Sequence, residues 1–317
     1  MSTPTTMKAV RIHSYGEVES LVYEDAPLPQ IDADSLLLRI HAAGVNPVDW
    51  KTRRGRGVAD ERLRFPLILG WDVSGTVAAL GANVRGLAAG DEVYGMIGFP
   101  ELGSAYAEYA SALPAHLARK PASLDHIAAA GVPLAALTAW QALFDAADLR
   151  AGQTVLVHAA AGGVGHLAVQ LARWRGARVI GTASARNAGL LRELGVDQII
   201  DYTAGPFESA VAPVDLVLDT VGGETLERSF AAVRPGGQRI SIVAEPSAEQ
   251  ARARGIAARR IIVEPNAAQL AEIAGLIDGG VVRPLVETVL PLAEARAAHE
   301  LSESGRTRGK IVLQVRG

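Results

Sequence analysis

From Lys8 to about Lys120 the apolar positions fall in short runs divided by Gly and Pro: LLLRIHAAGV (36–45), GTVAALG (75–81) and DEVYGMIG (91–98). Runs of this kind predict an irregular β-rich domain. From about Pro121 the texture changes to Ala-rich helical stretches alternating with compact β-branched runs. Those runs are TVLVHA (154–159), ARVIGT (177–182), QIIDY (198–202), VDLVLDT (214–220) and GQRISIV (237–243). Continuous apolar strands alternating with helices predict a parallel sheet covered on both faces, so the fold class is α/β with a doubly wound domain. The tail returns to mixed character, with a helix near 293–303 and a final strand, GKIVLQV (309–315). It is expected to rejoin the first domain, which gives one domain from 1–122 with 281–317 and a second from 123–280.

The bulk properties narrow the classes. At 317 residues the chain has room for two domains with their own cores. A hydrophobic share of 49% with 21% charged residues excludes a mainly disordered chain. With 31 basic and 34 acidic residues there is no electrostatic footprint for a phosphate backbone, and nucleic acid is not an expected partner. The chain has no Cys, which excludes disulfides, a thiolate nucleophile and Cys-based zinc sites. The start, MSTPTTMKAVRIH, lacks the pattern of a secretory signal, and no strongly apolar stretch of about 18 residues occurs, so a cytoplasmic protein without membrane association is expected. The densest basic run, ARARGIAARR (251–260), reads as a solvated loop or helix face.

The candidate chemistry begins at TVLVHA-AAGGVG-HLAVQLARW, which reads as strand, glycine turn and helix. In the helix Val164, Leu167, Ala168 and Leu171 fall on one apolar stripe. Gly162, Gly163 and Gly165 stand in an order close to the dinucleotide fingerprint, with Ala160 where its first glycine would be. Glycine lets backbone approach a pyrophosphate, and the helix amino terminus, beginning around Val164, supplies free N–H groups and partial positive charge. After the next strand, an NAD enzyme places Asp or Glu to bind the ribose hydroxyls. Here the residues are Ala183, Ser184, Ala185, Arg186 and Asn187. Ser184 and Arg186 suit a 2′-phosphate, through a hydroxyl donor and a charge-assisted guanidinium contact, so NADPH is the expected cofactor.

The ordered set GVNPVDW (44–50), GWDVSGTV (70–77), GDEVYG (90–95), GSAYAEYA (103–110), VPLAALTAWQAL (132–143), AAAGGVG (159–165), VLDTVGG (217–223) and RGKIVLQV (308–315) resembles the zinc-free branch of the medium-chain dehydrogenase/reductase superfamily. Within it the chain is most similar to quinone oxidoreductases and 2-alkenal (enone) reductases. The resemblance spans nearly the whole chain. It implies a GroES-like catalytic domain formed by both chain ends, a Rossmann domain, nicotinamide in the cleft between them, and a homodimer. It also implies that Thr138 lies near the nicotinamide ribose or carboxamide, with the strand ends VLDT and SIV, the latter closing on Val243, lining the same trough; Tyr202 takes a place beside the 2′-phosphate, and Lys310 a reach toward the cofactor.

Zinc members carry a Cys and a His in motifs where this sequence has Asn46 and Trp71, the latter followed by Asp72. No metal is therefore expected, since a catalytic zinc needs about three protein ligands. Without a Lewis acid the substrate must already be electrophilic: quinones, enals and enones, in which hydride at the β-carbon leaves an enolate that hydrogen-bond donors can stabilise. Asn46 and Lys51 are the candidate catalytic donors. Asp49 reads as fixing its loop, Tyr106 and Tyr109 as packing residues of a GSAYAEYA strand, and His158 as a satisfied interior histidine. Trp50 and Trp71 are candidate pocket walls, Trp71 equally a core residue. The alternatives are an enoyl thioester reductase and a non-catalytic NADPH-binding protein of the crystallin or RNA-binding kind.

Overall fold

A computed structural model describes residues 5–59 and 63–316. The chain divides into two compact units, one of residues 1–134, 264–280 and 284–317, the other of residues 135–263 and 281–283. In chain order the first unit opens with β1 (Thr6–Ile12), β2 (Leu21–Pro27), β3 (Leu36–Val45), α1 (Pro47–Arg53), β4 (Leu67–Ile68) and β5 (Asp72–Leu80). It continues through β6 (Glu92–Met96), β7 (Tyr109–Ala112), β8 (Leu117–Arg119), α2 (His126–Ala130) and the start of α3 (Pro133–Trp140). The second unit follows with β9 (Thr154–Val157), α4 (Gly165–Trp174), β10 (Arg178–Ala183), α5 (Ala188–Glu193), β11 (Gln198–Asp201) and β12 (Val214–Asp219). It ends with α6 (Gly223–Arg228), β13 (Val233–Ser241), α7 (Ala248–Arg254) and β14 (Ala257–Arg260). The chain then returns to the first unit for α8 (Ala267–Asp278), β15 (Val286–Pro291), α9 (Ala295–Glu303) and β16 (Lys310–Gln314).

In the first unit a seven-stranded sheet runs β15-β16-β3-β5-β6-β8 with β7 against β3, beside a three-stranded sheet β2-β1-β4. The alternation in β3 decides its faces: Leu36, Leu38 and Ile40 are buried in the core with Val73, Val93 and Ile311, while Arg39 is exposed. The tail does rejoin this sheet, β16 pairing antiparallel with β3 from Ile311–Val45 to Gln314–Ala42. Helix α8 belongs here too: its Asp278 carboxylate accepts from the Ser123 hydroxyl at 2.7 Å, and its Leu270 carbonyl accepts from Tyr94 at 2.6 Å. This unit accordingly takes in 264–280, a stretch that the alternating pattern assigned to the other domain.

The second unit is a six-stranded parallel sheet in the order β11-β10-β9-β12-β13-β14. That is the doubly wound Rossmann order, whose ligand crevice lies outside the carboxyl ends of the strands. All five expected strands occur. The sixth, β14, corrects the reading of ARARGIAARR: its first half is α7, Gly255 ends that helix at φ +63°, and Ala257–Arg260 pairs parallel with β13. Solvent-facing Arg side chains on an edge strand hide a strand from hydrophobic patterning. Helix α4 also differs from a single stripe, being buried all round from Gly165 to Ala172.

Candidate active site

Between β9 and α4 the chain turns through residues that only a tight approach accounts for. A Cβ at Gly165 would lie 2.2 Å from the Ala159 carbonyl oxygen and 2.8 Å from the Ala160 Cα, so the first turn of the helix rests directly on the strand end. Ala159 itself holds φ +45°. The amide of Ala160 donates to Thr182 at 2.9 Å and that of Gly162 to Ala159 at 2.8 Å. The N–H groups of Gly163, Val164 and Gly165 make none of the backbone bonds that tie this turn together. They are therefore open to an anion at a helix amino terminus, and a dinucleotide pyrophosphate fits that donor set. Ala160, at the first glycine position, is accommodated from the neighbouring strand: its methyl lies 2.8 Å from where a Cβ of Gly181 would be.

Parallel pairing of Ala183 with Asp201 sets Ser184 and Tyr202 one residue beyond adjacent strand ends. Ser184 is half-buried and accepts from Asn187 at 3.4 Å, while Arg186 is exposed and Tyr202 is 57% exposed. The sequence reading missed Asp201 in the same place. Its carboxyl is held below the usual range by the Thr203 hydroxyl at 2.6 Å, the Thr203 amide at 2.9 Å and the Ala185 amide. The D-x-T spacing of an Asx turn is the signal that could have found it. Thr138 is buried in α3, and Val243 is half-buried just after β13.

His158 is an interior residue, 1% exposed, bonded to Thr182 Oγ1 at 3.1 Å and Ser229 Oγ at 2.9 Å. Burial holds it down at about 4, and His299 at about 3. A folded value below the unfolded one of about 6.5 means that the unfolded chain takes up protons first, so this stability is present above pH 6.5 and is lost as pH falls toward 4. At about 1.4 kcal/mol per unit, His158 contributes about 3 kcal/mol to that acid loss. Denaturation followed from pH 7 to 4 is expected to fall less steeply for H158Q than for the wild type; parallel slopes contradict the assignment.

The first unit holds a buried polar cluster at the start of α1. Asp49 accepts the backbone N–H of Asn46 at 2.8 Å, closing the amino end of the helix, and the Tyr106 hydroxyl at 2.6 Å. His299 lies 3.3 Å from that hydroxyl, which has its own proton on Asp49 and so accepts from Nε2–H. Burial pushes Asp49 up to about 7, against the lowering pull of Tyr106 and the Asn46 amide. Asn46, 1% exposed, donates through Nδ2 to Asp72 at 2.9 Å and accepts from Lys310 Nζ, which sits 3.5 Å from Asp72 Oδ2. Asp72 also accepts the Leu134 amide at 2.7 Å. One amide hydrogen of Asn46 is thus committed inside the protein, and Lys310 is spent on the same cluster at 3% exposure.

At the other end of α1, fully buried Arg53 pairs with Glu303 of α9, and Arg54 reaches the same carboxylate at 2.7 Å. Lys51, half-buried, stands between these two anchors with Nζ 5.6 Å from the Trp50 ring centre. The Trp50 indole N–H is buried and meets no acceptor among the described residues. Trp71 is core, 0% exposed, with its indole donating to the Glu101 carbonyl at 2.6 Å. Tyr106 is packed as expected, but the GSAYAEYA strand is shorter than the sequence suggested. Ser104 at φ +57° turns the chain, Tyr106 bonds instead to Leu69 and Val10, and extended pairing with β3 begins only at Tyr109. Among the described residues no three His, Asp or Glu side chains are grouped to hold a metal ion.

Residues 32–122 match the alcohol dehydrogenase GroES-like domain, and residues 194–313 match a family described as zinc-binding dehydrogenase. The chain is 32% identical to the mitochondrial NAD(P)H oxidoreductase RTN4IP1 of Danio rerio, over 98% of this chain and 92% of that protein. It is 33% identical to the chloroplastic NADPH-dependent alkenal/one oxidoreductase of Arabidopsis thaliana, over 98% of this chain and 80% of that one. The solved quinone oxidoreductase of Coxiella burnetii superposes with a TM-score of 0.92 at 39% identity, over 98% of this chain and all of the other. The chain belongs to the medium-chain dehydrogenase/reductase superfamily, in its quinone/enone oxidoreductase-like branch. This oxidoreductase accordingly combines a GroES-like unit with a Rossmann unit and works with a nicotinamide cofactor. Among its described residues no helix is long and apolar enough to cross a membrane.

Proposed function

We propose that this oxidoreductase uses NADPH to reduce quinones or the activated C=C bond of α,β-unsaturated carbonyls, without zinc. The observation that carries the cofactor assignment is the end of β10, where Ala183 is followed by half-buried Ser184 and exposed Arg186 instead of a carboxylate. A carboxylate there would repel a 2′-phosphate. Asp201, at the end of the adjacent strand β11, spends one carboxylate oxygen on the Thr203 hydroxyl and amide. The relative named for NADPH and alkenal/one substrates supports the same choice.

Bound nicotinamide supplies the hydride. The chain's own part is to hold the dinucleotide by the turn at Gly162–Gly165 and by Ser184, Arg186 and Tyr202. Hydride added to the β-carbon sends the C=C electron pair onto the carbonyl oxygen, where the Lys51 ammonium, held between the two anchored ends of α1, is the proposed donor. A proton from water completes the saturated carbonyl; on a quinone, hydride and proton together give the hydroquinone. Asn46 holds its place in this scheme through its second amide hydrogen. At the zinc-ligand positions of the metal-dependent members, Asn46 is tied between Asp72 and Lys310 and Trp71 is packed in the core, so neither supplies a thiolate or imidazole.

Arg186→Ala is expected to weaken NADPH about ten- to a hundredfold, the worth of one charge-assisted bond, and to leave NADH nearly unchanged. Binding of both dinucleotides by calorimetry, with turnover on a panel of quinones and alkenals, tests cofactor and substrate class together. Equal loss for NADPH and NADH would refute the 2′-phosphate assignment.

A further inference from the structure

The carboxyl ends of β12 and β13 are joined through one buried side chain. Asp219, the last residue of β12, is 0% exposed. One of its oxygens accepts the amides of Val221 at 3.1 Å and Gly222 at 2.9 Å, which pins the loop leaving β12. The other accepts the hydroxyl of Ser241, the last residue of β13, at 2.8 Å. Ser241 Oγ in turn accepts the amides of Val243 at 3.2 Å and Ala244 at 3.3 Å, which pins the loop leaving β13. The backbone adds a third tie, Ile242 donating to the Asp219 carbonyl at 3.1 Å.

The two loops then meet. Gly222 holds φ +81°, and a Cβ on it would lie 2.9 Å from Cγ1 of Val243. The absent side chain of one loop is the seat of the Val243 side chain in the other. β9 is drawn into the same assembly, since the Thr220 hydroxyl donates to the His158 carbonyl at 2.8 Å. A carboxylate is suited to this work because it accepts several N–H and O–H donors at once, and hydrogen bonds to a charged group are stronger than neutral ones. An aspartate whose every strong contact is with loop backbone and a loop-setting serine is arranged to fix geometry rather than to move protons.

We propose that Asp219, acting through Ser241, is the positioning residue for the nicotinamide end of the cofactor: it sets the loops 220–223 and 242–245, and so the place of Val243, without touching the dinucleotide. The proposal rests on the reading of this unit as an NADPH site with Val243 at the nicotinamide. Its signature is a separation between the two halves of the cofactor. Ser184, Arg186 and Tyr202 follow β10 and β11 at the other side of the sheet, so the adenosine end is independent of the clamp.

The test is calorimetric binding of NADPH, NADH, reduced nicotinamide mononucleotide and adenosine 2′,5′-bisphosphate to the full chain as wild type, Ser241→Ala and Asp219→Asn. The expected result is a loss of about tenfold or more for both dinucleotides and for the mononucleotide, as for one charge-assisted bond, with adenosine 2′,5′-bisphosphate within about twofold of the wild type. Retained binding of the bisphosphate also reports that the unit is folded, which covers the case in which one variant is destabilised. Equal losses for all four ligands reduce Asp219 to a structural residue and overturn the proposal; unchanged mononucleotide binding overturns it as well. A wild type that binds neither the bisphosphate nor NADPH removes the NADPH reading and this proposal with it, an outcome visible before any variant is compared.

Discussion

Lys310→Met is expected to destabilise the protein by about 3–5 kcal/mol, because it strips the cation from a buried ion pair and leaves its carboxylate behind. Asp72 is fully buried, and Lys310 reaches both it and Asn46 from β16, the strand by which the chain end rejoins the first sheet. Burial already pushes the Asp72 carboxyl above its ordinary value, and the Lys310 charge is the largest force holding it down. Without Lys310 that carboxyl rises further. A folded value above the unfolded one means the native state binds the extra proton, so the penalty is small in acid and grows as pH rises. Urea denaturation of wild type, K310M and K310M/D72N at pH 5 and pH 8 measures this. The double variant should recover part of the loss at pH 8; a K310M curve within about 1 kcal/mol of wild type at pH 8 contradicts the account.

Gly165→Ala is the second large effect. The added methyl would meet the Ala159 carbonyl oxygen at 2.2 Å, a backbone atom fixed by the end of β9 rather than the tip of a flexible chain. The helix must back away from the strand. That shift moves the N–H groups of Gly163 and Val164, the proposed pyrophosphate donors, and loosens a helix that is buried from Gly165 to Ala172. Overpacking of this kind costs about 1–3 kcal/mol or more, and dinucleotide affinity should fall at least tenfold. Thermal unfolding together with NADPH titration decides: an unchanged melting temperature with unchanged affinity would show that the close approach is not needed.

The parallel sheet was legible because its strands are buried on both faces, and burial writes itself as unbroken apolar runs such as VDLVLDT. β14 was not, since an edge strand faces water and its Arg259 and Arg260 carry no core signal. The same limit hid the shortening of GSAYAEYA: Tyr106 pairs its backbone with Leu69 and Val10, partners set by topology and not by local spacing. Within the candidate site, the glycine turn could be picked out because its close approach to the strand end demands glycine. What could not be read was who holds whom. Asn46 and Lys310, separated by more than two hundred positions, lie in one cluster with Asp72, and the partnership of Asp219 with Ser241 depends on which strands are neighbours.

The alanine at position 160 ends differently from how a motif search would score it. Its methyl occupies space that Gly181 vacates on the adjacent strand. The fingerprint is therefore a property of a volume shared by two segments, and a glycine that a linear pattern counts as missing has been relocated across the sheet.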